Sequence, residues 1–287
     1  MLDPPQAITA ELRRWIIAQA ESGCRPEEVI AGMRAAGWAE GVAADAMEQT
    51  LRERLDELRP STADAPPASA VPEPDLRAAP TVLQVEGHEL RVLLSLHRPR
   101  VVVFGGFMSD DECDRLMALA APRLARSETV DNTTTGGSEV NPARTSDGMF
   151  FERGEHPLIQ SLEARIAALL NWPLAHGEGL QILRYRPGAE YRPHNDYFDP
   201  GHPGTARMLQ RGGQRVGTLV MYLNTPQGGG ATIFPDVGLE VAPIRGNAVF
   251  FSYDRPHART RTLHGGAPVT AGEKWVATKW LREGVFA

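Results

Sequence analysis

Apolar residues change their spacing along this chain, and the change divides it. Over residues 1–59 they recur at helical intervals. Ile8, Leu12, Trp15 and Ile16 fall at i, i+4, i+7 and i+8, one face of a helix. A second helix is expected to open at Pro26, which suits a first turn, with Glu27 and Glu28 at the positive end of its dipole. It places Val29, Ile30 and Met33 on one side and stops near Gly37. A third presents Val42, Ala43, Ala46, Met47, Thr50 and Leu51. Residues 60–80 then hold six prolines and almost no large apolar side chain, so they read as a linker.

Beyond residue 80 the spacing shortens. Residues 100–107 form a β-branched run, and Ser109 with Glu112 makes a capping box that starts a helix through about Leu124. A second amphipathic helix spans 156–171, with Leu158, Leu162, Ile166 and Leu169 or Leu170 inward. Strand-like segments follow at 180–185, 190–194, 215–224, 231–234, 239–242, 247–253, 258–264 and 274–281, punctuated by Gly, Pro and Asp. Two helices and then eight strands predict an antiparallel double sheet with helical support on one side. The fold class is mainly β with flanking helices, a double-stranded β-helix or jelly roll, joined to a small three-helix domain. The expected domains are 1–59, a linker at 60–80, and 81–287.

Composition narrows the setting. A net charge of −6 offers no basic face for nucleic acid. No apolar run reaches the roughly 20 residues of a membrane helix. The start of the chain lacks a basic region followed by an apolar core, so no signal peptide is expected. The two cysteines, Cys24 and Cys113, fall in different expected domains and read as free thiols in a reducing, cytoplasmic compartment.

The chemistry is carried by four residues. His194 and Asp196 stand two apart at a strand end, where alternate side chains share a face. A third candidate ligand, His264, lies on a late strand, and Lys274 comes ten positions after it. Two imidazoles and one carboxylate that leave open positions are the donor set of non-haem Fe(II) oxygenases. The lysine suggests an anionic cosubstrate beside the metal. His88, His97, His156, His176, His202 and His257 receive no role.

Four stretches extend this pattern: 180–196, with Tyr185-Arg186-Pro187-Gly188 and Tyr191-Arg192-Pro193-His194-Asn195-Asp196; 212–224, with Arg215; 228–235, with Gly228-Gly229-Gly230-Ala231-Thr232; and 263–280, with His264-Gly265-Gly266 and Lys274-Trp275. In these the chain resembles the prolyl 4-hydroxylase family of Fe(II)/2-oxoglutarate dioxygenases, its collagen-type, plant and algal, and bacterial members, from roughly residue 98 to 285. The resemblance implies that His194, Asp196 and His264 ligate Fe(II) and are the catalytic set. It implies that Lys274 binds the distal carboxylate of 2-oxoglutarate, with Tyr185 and Thr232 as hydrogen-bond partners. Tyr191, Arg215 and Trp280 match the family's peptide groove, and aromatics suit a proline-rich segment. O2 would be the second cosubstrate and ascorbate the reductant. The carboxylate at Asp196 favours hydroxylation over the halogenation of related enzymes that lack it. One departure bears on the peptide register: Trp280-Leu281-Arg282 stands where algal and plant members resemble Trp-x-His.

Two loops read as rims. Residues 130–146, polar and Gly-rich, look like a substrate lid by family analogy, and 198–213 is a second flexible candidate. The N-terminal helices resemble a ubiquitin-associated-type fold awaiting a protein partner; a dimerisation element or plain appendage is the alternative. The expected activity is hydroxylation of a peptidyl proline coupled to decarboxylation of 2-oxoglutarate to succinate and CO2. The alternatives are the same chemistry on a free amino acid or another side chain, or a non-catalytic binding module.

Overall fold

Thr9 opens the first helix by accepting a 3.2 Å hydrogen bond from the backbone N–H of Leu12. A computed structural model of the chain describes residues 8–58, 65–126, 129–130, 138–139 and 145–287. The chain divides into two units, Met1–Ala65 and Pro66–Ala287.

In the smaller unit the helices are Ala10–Glu21, Pro26–Ala35 and Glu40–Leu58. Gly37 ends the second of them at φ +93°, a conformation that a residue with a Cβ adopts only at a cost. Ile16, Val29, Met33, Ala43 and Ala46 form its buried core.

In the larger unit the sheets are antiparallel throughout. A nine-stranded sheet runs in the order Val82–Val85, His88–His97, Arg100–Gly105, Ala248–Ser252, Arg215–Tyr222, Lys274–Arg282, Leu180–Tyr185, Asp147–Phe151, Ala125–Arg126. A four-stranded sheet runs Leu239–Val241, Thr232–Phe234, His264–Gly266, Tyr191–His194. From Leu180 to Arg282 the chain passes back and forth between these sheets, with the hairpin Thr232–Phe234/Leu239–Val241 wholly in the smaller one and Gly228–Gly229 pairing with Val269–Ala271 in a two-stranded sheet of their own, which makes the jelly roll.

Both faces of the larger sheet are covered. Val102, Phe104, Ile182, Leu219, Phe250 and Ala277 pack against the helices Asp110–Ala120 and Pro157–Leu170. Their neighbours Val101, Val103, Leu183, Val249, Phe251 and Val276 face the space between the sheets. This is why the strands read as unbroken apolar runs rather than as alternation. Ser109 starts the first of those helices with the expected box, accepting from Glu112 N (3.2 Å) and donating its own N–H to the Glu112 carboxylate (2.9 Å).

The structure differs from the sequence reading at four places. The hairpin Val82–Val85/His88–His97 lies in the region after the linker where no strand was expected; its turn, Glu86-Gly87, has positive φ at both residues. The expected strand at 258–264 is replaced in its first half by a short 3-10 turn, Ala258–Thr260, capped by His257 Nδ1 (3.1 Å from Arg259 N). Arg261 at φ +54° ends that turn, and the strand begins only at His264. The rim at 198–213 carries a short helix, Thr205–Leu209, tied down where the Gln214 carboxamide brackets the backbone of Phe198 at 2.7 and 2.8 Å. From Pro66 onward the Pro-rich stretch belongs to the larger unit. Pro72 and Pro74 are buried, Glu73 pairs with Arg100, and Ser69 N–H donates to Asp254 O (2.7 Å). Most of 130–146, the expected lid, lies outside the described residues. No helix among the described residues is long and apolar enough to cross a membrane.

Candidate metal and cosubstrate site

The four-stranded sheet builds the metal site. His264 lies directly opposite His194 in the antiparallel register of their strands, and Asp196 follows just beyond His194. One ligand atom from each of the three lies within 4.8 Å of the others. His194 Nε2 is 3.5 Å from Asp196 Oδ1, and His264 Nε2 is 3.5 Å from Asp196 Oδ2.

Each imidazole is held by its other nitrogen. His194 Nδ1–H donates to the carbonyl of Arg192 and His264 Nδ1–H to that of Thr262, both at 2.9 Å. Those bonds select the tautomer whose Nε2 lone pair faces Asp196, as a metal requires. Burial pulls His264 down to about 4, so it is neutral at physiological pH. Burial opposes the charged form of Asp196, but His264, His194 and Arg215 outweigh it and hold the carboxyl well below the usual carboxylate range. Two imidazoles and an ionised carboxylate, converging from one side, fit a divalent metal of the non-haem iron type.

Thr218 and Tyr253, which sequence reasoning missed, orient the carboxylate. Thr218 Oγ1–H donates to Asp196 Oδ2 at 2.7 Å, and Thr218 Oγ1 is 2.9 Å from the Tyr253 hydroxyl. The available signal was a lone threonine in the apolar run Val216–Met221, buried at 0% exposure, where a hydroxyl needs a partner.

Lys274 lies in the same pocket, whose walls include Tyr185, Tyr191, Thr232 and Trp280. Only 4% of it is exposed. Among the described residues no carboxylate pairs with it; its ammonium rests 5.4 Å from the Tyr185 ring centre and 5.9 Å from that of Tyr222. Burial pulls it down to about 8. A desolvated cation without a counterion fits the end of an anionic ligand. Thr232 Oγ1 accepts from the Tyr222 hydroxyl at 2.8 Å, which leaves its own O–H to donate into the pocket. Gly230, at φ +74°, keeps this end open: a Cβ there would stand 3.1 Å from Lys274 Cδ.

Tyr191 stacks on the His194 ring with 3.7 Å between centres. Trp280 lines the mouth, and among the described residues its indole N–H has no acceptor. Arg215 stands apart from the pocket wall. Its guanidinium holds Glu178 at 2.7 and 2.9 Å and lies 4.0 Å over the Trp280 ring. Arg282 is buried beneath it, sharing Glu178 (2.6 Å) and donating to Gly213 O (2.6 Å). The residue that departs from the family's Trp-x-His pattern is therefore engaged inside the fold.

The chain is similar to several known proteins. The family model of the 2OG-Fe(II) oxygenase superfamily matches residues 180–282. Probable prolyl 4-hydroxylase 3 of Arabidopsis thaliana is 39% identical over 209 residues, covering 66% of this chain and 71% of that protein. Prolyl 4-hydroxylase 1 of the same plant is 41% identical over 202 residues, covering 64% and 69%. A solved viral collagen prolyl hydroxylase from Paramecium Bursaria Chlorella virus-1 shares 30% identity over 63% of this chain and 94% of its own, with a TM-score of 0.48. The chain belongs to the prolyl 4-hydroxylase family of 2-oxoglutarate- and Fe(II)-dependent oxygenases.

Proposed function

We propose that this enzyme hydroxylates a prolyl ring in a proline-containing peptide or protein, with 2-oxoglutarate and O2 as cosubstrates. One observation carries the reading: a buried ammonium with no carboxylate beside it among the described residues shares a pocket with a His/Asp/His cluster. Iron held by His194, Asp196 and His264 would supply activation of O2 coupled to oxidative decarboxylation of 2-oxoglutarate.

The chain's own residues then have defined tasks. Lys274 pairs with the distal carboxylate, and Thr232 donates to it with its hydroxyl oriented by Tyr222. Tyr185 borders the same carboxylate. Leu183, Val220 and Val276 keep bulk water from the pocket, which strengthens every charged contact inside. Trp280 gives the pocket an aromatic wall, and Tyr191 gives a flat face to the prolyl ring while fixing His194. Arg215 acts through Trp280, which it holds in place from behind. Ascorbate as the rescuing reductant and a reducing cytoplasmic setting belong to the same proposal. Cys24 and Cys113 are free thiols, which supports that setting.

Succinate release and mass spectrometry test it. Proline-rich peptides should stimulate succinate formation in the presence of iron and gain the mass of one oxygen atom. Stimulation by a free amino acid alone would overturn the peptide reading.

A further inference from the structure

A second hollow opens at the end of the larger sheet where Arg100 and Ser252 lie. Arg98, Arg100, Arg255 and Arg259 converge on it, with only Glu73 and Asp254 to balance them. Those two carboxylates are taken. Glu73 accepts from Arg100 Nε at 2.9 and 3.1 Å, and Asp254 accepts from Arg255 at 3.0 and 2.7 Å. Among the described residues, neither the Arg98 nor the Arg259 side chain has a hydrogen-bond or ion-pair partner, and both are exposed. An acidic chain of net charge −6 thus keeps a hollow with four guanidinium groups against two carboxylates, and Arg98 acts on Asp254 only through space.

The register locates the hollow. Arg100 pairs with Ser252, and Ser252 pairs with Gly217, the neighbour of Thr218; Thr218 in turn pairs with Trp280. The hollow and Trp280 therefore lie at the same end of the larger sheet, with Arg100 and Ser252 on its helix-covered face and Thr218 and Trp280 on the face toward the smaller sheet. Tyr253 lines the hollow while its hydroxyl meets Thr218, the residue that orients Asp196. At about 4.8 Å between strands, the Arg100 strand stands roughly 15 Å from the Trp280 strand. An extended peptide rises about 3.3 Å per residue, so four or five residues span that gap.

We propose that this hollow is an exosite for an acidic side chain of the substrate, four or five residues from the target proline. The claim rests on the peptidyl-proline reading above. Guanidinium forks match a carboxylate in two-point geometry. Two surplus charges flanked by Glu73 and Asp254 suit one or two carboxylates; a run of nucleic-acid phosphates would need a broader basic face.

The test uses the full chain loaded with Fe(II) and 2-oxoglutarate. Three labelled peptides share a proline-rich core and carry a Glu, Ser or Lys pair five residues from the target proline, on either side in turn. Binding is read by fluorescence anisotropy and turnover by succinate release. On one side the Glu peptide should bind about tenfold more tightly than the Lys peptide, with lower KM and equal kcat. The difference should fade near 1 M salt. The double variant R98E/R259E should invert the order and leave the Ser peptide and 2-oxoglutarate binding unchanged, and R98Q/R259Q should flatten it. Equal binding of the three peptides to the parent chain overturns the exosite, whether or not they are turned over. So does a Glu preference that survives R98E/R259E. If inorganic phosphate binds in an Arg98/Arg259-dependent way while peptide binding ignores charge, the hollow is a small-anion site and the proposal falls. If the Glu preference and its inversion appear without hydroxylation of any peptide, the exosite stands and the prolyl reading falls.

Discussion

Replacing Lys274 by Met should stabilise the ligand-free enzyme while abolishing 2-oxoglutarate binding. The side chain is 4% exposed, and no described carboxylate neutralises it. Burial lowers its pKa from 10.5 to about 8. That gap corresponds to about 3 kcal/mol, the cost of keeping the ammonium charged in the folded pocket. Methionine conserves most of the volume and carries no charge. At pH 7 without ligand, Lys274→Met should therefore raise the unfolding free energy by up to about 3 kcal/mol. The sign of the pH dependence follows from proton counts. Between pH 8 and 10.5 the unfolded lysine keeps its proton and the folded one has released it. Stability of the parent chain thus rises with pH through that window, and the advantage of the variant should shrink there. Addition of 2-oxoglutarate at about 100 times its Kd should stabilise the parent by about 2.7 kcal/mol and the variant not at all. Urea unfolding followed by tryptophan fluorescence, run from pH 7 to 10.5, reads all of this, with calorimetry for ligand affinity. A variant that is less stable than the parent at pH 7, or a stability gap that ignores pH, would refute the reasoning.

Three further substitutions separate the roles of neighbouring residues. Thr218→Val removes the hydroxyl that donates to Asp196; metal affinity should fall 10- to 100-fold in a Mn(II) or Fe(II) titration, and an unchanged affinity would deny Thr218 its orienting role. Glu178→Ala leaves Arg215 and Arg282 buried without their shared counterion, so urea unfolding should show a loss of about 3–5 kcal/mol, and a loss below about 1 kcal/mol would mean water replaces the carboxylate. Trp280→Phe shrinks the aromatic wall of the pocket; peptide KM should rise about fivefold while 2-oxoglutarate affinity holds, whereas an equal loss of both would make Trp280 a structural residue only.

Local features were legible where local physics sets them. The Ser109/Glu112 box, the first-turn Pro26 and the stop at Gly37 all act within a few residues of themselves, and the helices form where these signals lie. The strand that carries Gln181, Leu183 and Tyr185 was legible as a strand, and its bounds agree with 180–185. The hairpin at 82–97 escaped notice because Glu86, unlike Asn or Asp, is a poor advertisement for a left-handed turn residue. The stretch after Pro66 looked like free linker because it has few apolar side chains. It is anchored instead by backbone hydrogen bonds, two buried prolines and the Glu73–Arg100 pair, none of which leaves a periodic trace.

Residue types and spacing, joined to the family resemblance of the four stretches around them, assembled the list His194, Asp196, His264 and Lys274. Sequence could not say what surrounds them. Register brings His264 opposite His194 across a gap of 70 positions. Packing strips Lys274 of water with no carboxylate beside it among the described residues, aims Thr218 at Asp196, and turns Arg215 away from the pocket toward Glu178. Burial and long-range partnership are properties of the folded whole: they depend on which distant side chains arrive at the same place, and only the tertiary structure decides that.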